Sequence, residues 1–318
     1  MLDRNDTFFQ LADQLARQMG FGQVCAVYPT SMNFDEQGYS GAKLVRIHCM
    51  FTDGKKKSFV CKEAGFAERW VMLALTEQKR GYSPWSYADL NGNEETAWFI
   101  MQDIQPGKEP VPHDSYLWKK QVATALAQIH ADNWMCADKT PRTFHADASH
   151  WKDITTKISV DHLERQCETD DGFAARYAGV LPKLRKRGEW FAEKMTELYQ
   201  DGRGLTMTHG DLQTIDGDHV RRLRGNPMVI DWGFCRYAPC FIDLTDYFTK
   251  EETRLYLEEL HRLGISLSKK EFEEGVSIAS FYPAFLYLYP ALVQYKRGSD
   301  VRLNRLLTVL CRDSESGF

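Results

Sequence analysis

The sequence has no basic excess, no paired-cysteine motif, no long apolar run and no internal repeat, and each absence removes a class of protein. Its formal net charge is -4, whereas proteins held to nucleic acid through its phosphates carry a positive surplus. No nucleic-acid partner is expected, and the basic clusters Lys55-Lys56-Lys57 and 183–187 read as a solvated turn and helix face. The eight cysteines are scattered, with no Cys-x-x-Cys pair and no histidine at zinc-ligand spacing, which argues against structural zinc. No secretory leader is read ahead of Asp3, so reduced thiols and a cytoplasmic location are expected. The aromatic-rich stretch 281–293 is cut by Pro283 and Pro290 and is shorter than the roughly 20 residues a membrane helix needs. It reads as a buried helix, and no membrane partner is expected. The Gly-x-Ser-x-Gly elbow of α/β-hydrolases is also missing.

What is present is an ordinary globular mixture, 43% hydrophobic and 26% charged, in a chain of 318 residues. That length favours one long domain or two joined lobes. Residues 1–20 place Phe8, Leu11, Leu15 and Met19 at near-helical spacing. Short β-prone runs follow at 23–28, 43–51 and 58–61, with the hairpin signal Thr52-Asp53-Gly54-Lys55 between the last two. A helix over 66–79 and a strand over 97–101 complete a mixed region. Beyond it the pattern predicts helices over 115–132, 160–167, 174–199, 244–264, 269–289 and 301–311, interrupted by strand-like pieces at 205–208 and 228–230. The fold class is therefore α+β, a small antiparallel β lobe over 1–103 and a larger helical lobe over 104–318.

Two segments carry carboxylates in a chemically suggestive setting. In His209-Gly210-Asp211 an apolar strand brings the backbone out of the core, Gly210 permits a tight bend, and Asp211 is presented beyond the strand end. Val229-Ile230-Asp231-Trp232 repeats the design. Two carboxylates at adjacent strand tips suit phosphoryl transfer, which needs a group to orient a hydroxyl and oxygen ligands to hold Mg2+ against phosphates.

His-Gly-Asp-Leu followed by Ile-Asp-Trp resembles the paired signature of the aminoglycoside phosphotransferase and choline kinase superfamily, whose fold is protein-kinase-like and two-lobed. The resemblance implies ATP and Mg2+ as cofactors and a small hydroxylated molecule as acceptor, with the protein a monomer or homodimer. It makes Asp211 the catalytic base, Asp231 a metal ligand and His209 a scaffold residue. The resemblance also gives Lys62 to the nucleotide phosphates and Glu68 to its ion pair, Ser40 and Gly41 to a phosphate-covering loop, and Gln102 and Asp103 to an adenine-binding hinge. Ala125-Leu126-Ala127-Gln128-Ile129-His130 resembles a helix of the family, and Asp243-Leu244 a structural Asp-Leu. The chain departs from the pattern at Asp216, where the family has a metal-binding Asn. A carboxylate oxygen also suits a hard cation, so Asp216 is expected to bind metal, with Asp218 as the alternative in a shifted register. A catalytically weakened, nucleotide-binding pseudokinase is the other reading. His-Arg-Asp and Asp-Phe-Gly are absent, which favours small acceptors over protein ones.

Overall fold

The computed structural model describes residues 4–32, 42–91, 96–212 and 219–312. Along the chain run α1 (Arg4–Met19), β1 (Val24–Ser31), β2 (Leu44–Phe51), β3 (Lys56–Gly65), α2 (Phe66–Gln78), β4 (Ser86–Tyr87), β5 (Thr96–Gln102), β6 (Lys108–Glu109) and α3 (Tyr116–Asp132). Then come α4 (Ala148–Thr155), a π-helical turn (Thr156–Val160), α5 (Asp161–Thr169), α6 (Asp171–Tyr177), α7 (Leu181–Gln200), β7 (Leu205–Thr208), β8 (Val220–Leu223), β9 (Asn226–Val229) and β10 (Arg236–Pro239). The chain closes with α8 (Thr253–Arg262), α9 (Lys269–Ala279), α10 (Tyr282–Leu286), α11 (Leu288–Lys296) and α12 (Val301–Leu310).

Contacts group these elements into two compact units, Met1–Asp132 with Asp211–Cys235, and Asn133–Gly210 with Arg236–Phe318. The first differs from the expected 1–103 lobe by taking in α3 and the β8–β9 hairpin. β6 is the reason, since it pairs with β8 and so ties residues after 103 to a hairpin more than a hundred positions on.

In the first unit five antiparallel strands stand in the order β1-β2-β3-β5-β4. The apolar stripe of α1, Phe8, Leu11, Ala12 and Leu15, packs with Phe51, Phe59, Cys61 and Ile100. Because side chains alternate along a strand, Phe59 and Cys61 share one face of β3 and Val60 and Lys62 take the other. The Asp53-Gly54 turn joins β2 to β3 as its sequence predicts: Gly54 has φ 80°, and Asp53 accepts the Lys55 N–H at 3.1 Å. A second hairpin, β8–β9, turns at Arg224 and Gly225, both at positive φ. The strand β8 lies in a stretch to which the sequence pattern assigned no element.

The second unit is helical around a two-stranded β7–β10 ribbon. Prolines divide helices that apolar periodicity alone runs together. The expected helix 174–199 stops at Tyr177 and restarts with Pro182 in the first turn of α7, where a missing N–H costs nothing. The expected helix 269–289 becomes α9, α10 and α11, with Pro283 and Pro290 near the starts of the last two. The run Lys269–Lys296 has the length and apolarity of a membrane span, yet half of that window is buried inside the protein. The expected helix 244–264 begins only at Thr253. Before it, Thr249 and Glu252 exchange side-chain and backbone hydrogen bonds at 2.9 and 3.3 Å, and such reciprocal bonding marks a helix start. The short helix α4, capped by Asp147, was not anticipated. Gly275 in α9 lies against Phe241, whose ring atoms would come within 2.4 Å of an added Cβ.

A candidate phosphate and metal site

Within the first unit, Lys62 stands between two acids. It occupies the face of β3 opposite the α1 core, and α2 begins directly after the strand, placing Glu68 in its first turn. The helix N-terminus favours a carboxylate there. The Lys62 Nζ donates to Glu68 Oε1 at 2.6 Å and to Asp231 Oδ1 at 2.7 Å. Both Lys62 and Glu68 side chains are about 8% exposed, whereas Asp231 is 39% exposed, so the triad is sealed at one end and open at the other. Burial opposes the Lys62 charge, but the two carboxylates outweigh it and leave the amine's pKa above its ordinary value. Burial raises the pKa of Glu68, and Lys62 pulls it back only in part.

Asp231 reaches this position through a turn that few residues adopt. It follows β9 and has φ 63° and ψ 65°, the left-handed region that aspartate tolerates better than most non-glycine residues. The Ile230 N–H donates to the His219 carbonyl at 2.8 Å, anchoring the turn to the opposite strand. Trp232 is fully buried, and its indole N–H donates to the Val229 carbonyl at 3.3 Å. Strained backbone held in place by its surroundings is a recurrent feature of functional sites.

Asp211 lies in the same unit, and His219 stands between it and Asp231. The imidazole places Nε2 at 3.4 Å from Asp211 Oδ2 and Nδ1 at 3.9 Å from Asp231 Oδ2. Sequence reasoning missed His219. It follows Asp-Gly-Asp in a stretch with no apolar alternation of its own, and only the β8–β9 pairing carries it to the two acids.

In the second unit, Asp243 is fully buried and fixes the two residues that precede Asp211 in the chain. Its Oδ2 accepts the His209 N–H at 2.6 Å and its Oδ1 accepts the Gly210 N–H at 2.7 Å. The Tyr282 hydroxyl donates to the Gly210 carbonyl at 2.8 Å. His209 is likewise buried, and His130 is buried in α3 of the first unit.

The remaining expected positions are less engaged with these acids. Asp103 pairs with Arg46 at 2.9 Å and accepts the Gln105 N–H, so its side chain is occupied within the protein. The Gln102 N–H donates to the Trp85 carbonyl at 2.9 Å and is not on offer to a ligand. Ser40, Gly41, Asp216 and Asp218 lie outside the described residues.

Solved structures share this fold. An ethanolamine kinase of Plasmodium vivax matches 90% of this chain and 82% of its own, with a TM-score of 0.58 and 12% identity. The amicoumacin kinase hAmiN, in complex with AMP-PNP, Ca2+ and Ami, matches over 97% and 96% with a TM-score of 0.54 and 12% identity. The GDP and kanamycin complex of APH(2'')-IIia matches over 95% and 97% with a TM-score of 0.50 and 14% identity. No protein-family model and no curated protein matches the sequence. The chain shares the mixed α+β fold of these solved structures, with an antiparallel β-sheet in one unit and a helical second unit.

Proposed function

We propose that the protein is an ATP- and Mg2+-dependent O-phosphotransferase whose acceptor is a hydroxyl of a small molecule. The observation that carries this reading is the Lys62 amine held at 2.6 and 2.7 Å between Glu68 and Asp231, with Asp211 reached across His219. A buried lysine oriented by two acids is a fixed cation suited to nucleotide phosphates. Asp231 engages that lysine through one oxygen and is half-open to solvent, so it fits a hard cation, which takes oxygen donors from one or two carboxylates and the phosphates. Mg2+, when bound, supplies neutralisation of phosphate charge. The protein's own contribution is position. Lys62 steadies the phosphates, Asp231 would hold the metal with Asp216 adding a ligand, and Asp211 accepts the proton of the acceptor hydroxyl.

The protein neighbours named above act on chemically unlike small molecules, and the acceptor class here spans aminoglycoside-, choline- and sugar-like alcohols. ADP release from Mg2+·ATP, measured across amines, sugars and antibiotics, tests the reading. At least one acceptor should raise the rate above the acceptor-free value, and Asp211→Asn should lower that rate about 10²- to 10⁴-fold with an unchanged melting temperature. An active Asp211→Asn variant would remove the base assignment. Binding of Mg2+·ATP with no turnover on any acceptor would favour the pseudokinase reading, for which Asp216 in place of Asn is the motivating residue.

A further inference from the structure

We infer that Arg46 is a positioning residue for the nucleobase, acting through its ion pair with Asp103 to fix the main chain that follows β5. The inference rests on the phosphotransferase reading for the nucleotide's presence, and on the register of the sheet for the place of its base.

Directly opposed residues of neighbouring antiparallel strands share a face, so the register lays out rows on the face that carries Lys62. One row is Leu44, Lys62 and Phe99 on β2, β3 and β5, and the next is Arg46, Val60 and Met101. Asp103 follows Met101 by two positions and continues the same face. Successive rows lie about 6.6 Å apart. With phosphates at Lys62, the base of the same nucleotide falls toward the second row, where Val60 and Met101 offer an apolar floor. Its edge then faces the chain at Asp103, and a backbone edge beside an apolar floor is the usual make-up of such a site.

Arg46 closes this end of the face. Its Nε donates to Asp103 Oδ2 at 2.9 Å, and because β3 lies between β2 and β5 the arginine crosses β3 to do so. Asp103 Oδ1 accepts the Gln105 N–H at 3.1 Å, so the carboxylate is tied to β2 and to its own turn at once. The side chain of Asp103 is only 3% exposed, yet the residue as a whole is half-buried. What Asp103 shows to solvent is therefore main chain. The preceding Gln102 N–H is tied to the Trp85 carbonyl at 2.9 Å, so the chain leaves β5 held on both sides. A backbone edge fixed before the ligand arrives binds it without a further ordering cost. Removing Arg46 leaves an enclosed carboxylate without its cation. Turning that acid out to water relieves the penalty and carries the backbone edge away from the base.

The experiment compares Mg2+·ADP with Mg2+·tripolyphosphate, which has phosphates and no base, by calorimetric titration of the full chain, with melting temperatures taken alongside. The native chain should bind ADP more tightly. Arg46→Met should weaken ADP at least tenfold and tripolyphosphate less than twofold. Asp103→Asn keeps the shape and an acceptor for Gln105, so it decides the matter if Arg46→Met does not fold, and it should lose ADP selectively too. In the double variant the second change should add less than twofold to the first, as expected of two residues acting through one interaction. Parallel losses for both ligands, or unchanged ADP binding, overturn the inference, and additive losses in the double variant overturn the route through Asp103. A native chain that binds tripolyphosphate as tightly as ADP has no base site, which sinks the inference and leaves the phosphate reading of Lys62 standing. Binding of neither ligand overturns both.

Discussion

Glu68 and Asp243 are carboxylates buried to similar depth, one in each unit, and they are satisfied by different means. Glu68 meets the ammonium of Lys62 at 2.6 Å, whereas Asp243 meets two backbone N–H groups at 2.6 and 2.7 Å. A side-chain partner can be deleted by mutation and can turn toward a ligand. Backbone donors cannot be deleted, and they hold the carboxylate only while the loop keeps its shape. The first arrangement suits a group that shares its cation with an exposed acid, and the second suits the fixed approach to Asp211. The two arrangements should fail differently when disturbed.

The largest effect is expected at Lys62. Lys62→Met leaves Glu68 buried without its cation, and breaking a buried ion pair from one side costs about 3 to 5 kcal/mol. Burial already lifts the pKa of Glu68, so the lone acid should escape part of the cost by binding a proton. In this variant the folded chain holds that proton above the pH at which the unfolded chain releases it. The loss of stability therefore grows as pH rises above the ordinary glutamate range. Urea unfolding at pH 5 and pH 8 measures this directly, and adding Glu68→Leu should recover much of the loss. Equal losses at both values would mean that Glu68 does not carry the penalty.

His150 is a third case, a half-buried titratable group of the second unit whose Nε2 is enclosed without a hydrogen-bond partner. Burial, assisted by the charge of Arg236, brings its pKa down to about 4 from 6.5. Between those values the unfolded chain binds the proton and the folded chain does not, so stability falls as pH falls through this window. The whole effect is about 3 kcal/mol. Comparing unfolding free energies of the native chain and His150→Phe at pH 7 and pH 4.5 isolates it, since all other groups titrate in both. The native chain should lose more, and parallel losses would assign acid sensitivity elsewhere.

For Asp243, Asn keeps the shape but offers a single acceptor oxygen to two N–H groups. One buried donor then loses its partner, at about 2 kcal/mol. Because those donors belong to His209 and Gly210, turnover should fall alongside stability, while nucleotide affinity at Lys62 should change little. A variant with full turnover would show that the loop before Asp211 keeps its form without Asp243.

These contrasts explain what the sequence disclosed. Strand alternation and the Asp53-Gly54 turn were legible because they are local, and they placed Lys62 six residues ahead of Glu68 with helix α2 starting between them. The strand-tip positions of Asp211 and Asp231 were legible for the same reason. The broken helices were less so, because apolar periodicity runs on through Pro182, Pro283 and Pro290 while the backbone stops and restarts. His219 was not legible at all. Nothing in its neighbours points to the acids, and its position depends on pairing with Ile230 across a hairpin whose strand β8 was itself missed.

The smallest effect tests the comparison at the surface. Ser268 caps α9 by accepting the Glu271 N–H at 3.2 Å, and Glu271 accepts the Ser268 N–H at 3.0 Å. This is a carboxylate held by a backbone donor, as at Asp243, but in water. Ser268→Ala should cost only about 1 kcal/mol, because solvent replaces the lost bonds, whereas no solvent reaches Asp243. Chemical denaturation of Ser268→Ala beside Asp243→Asn measures the ratio. If the exposed cap costs as much as the buried one, burial is not what makes the Asp243 bonds count, and the account of how the loop before Asp211 is fixed must rest on Tyr282 instead.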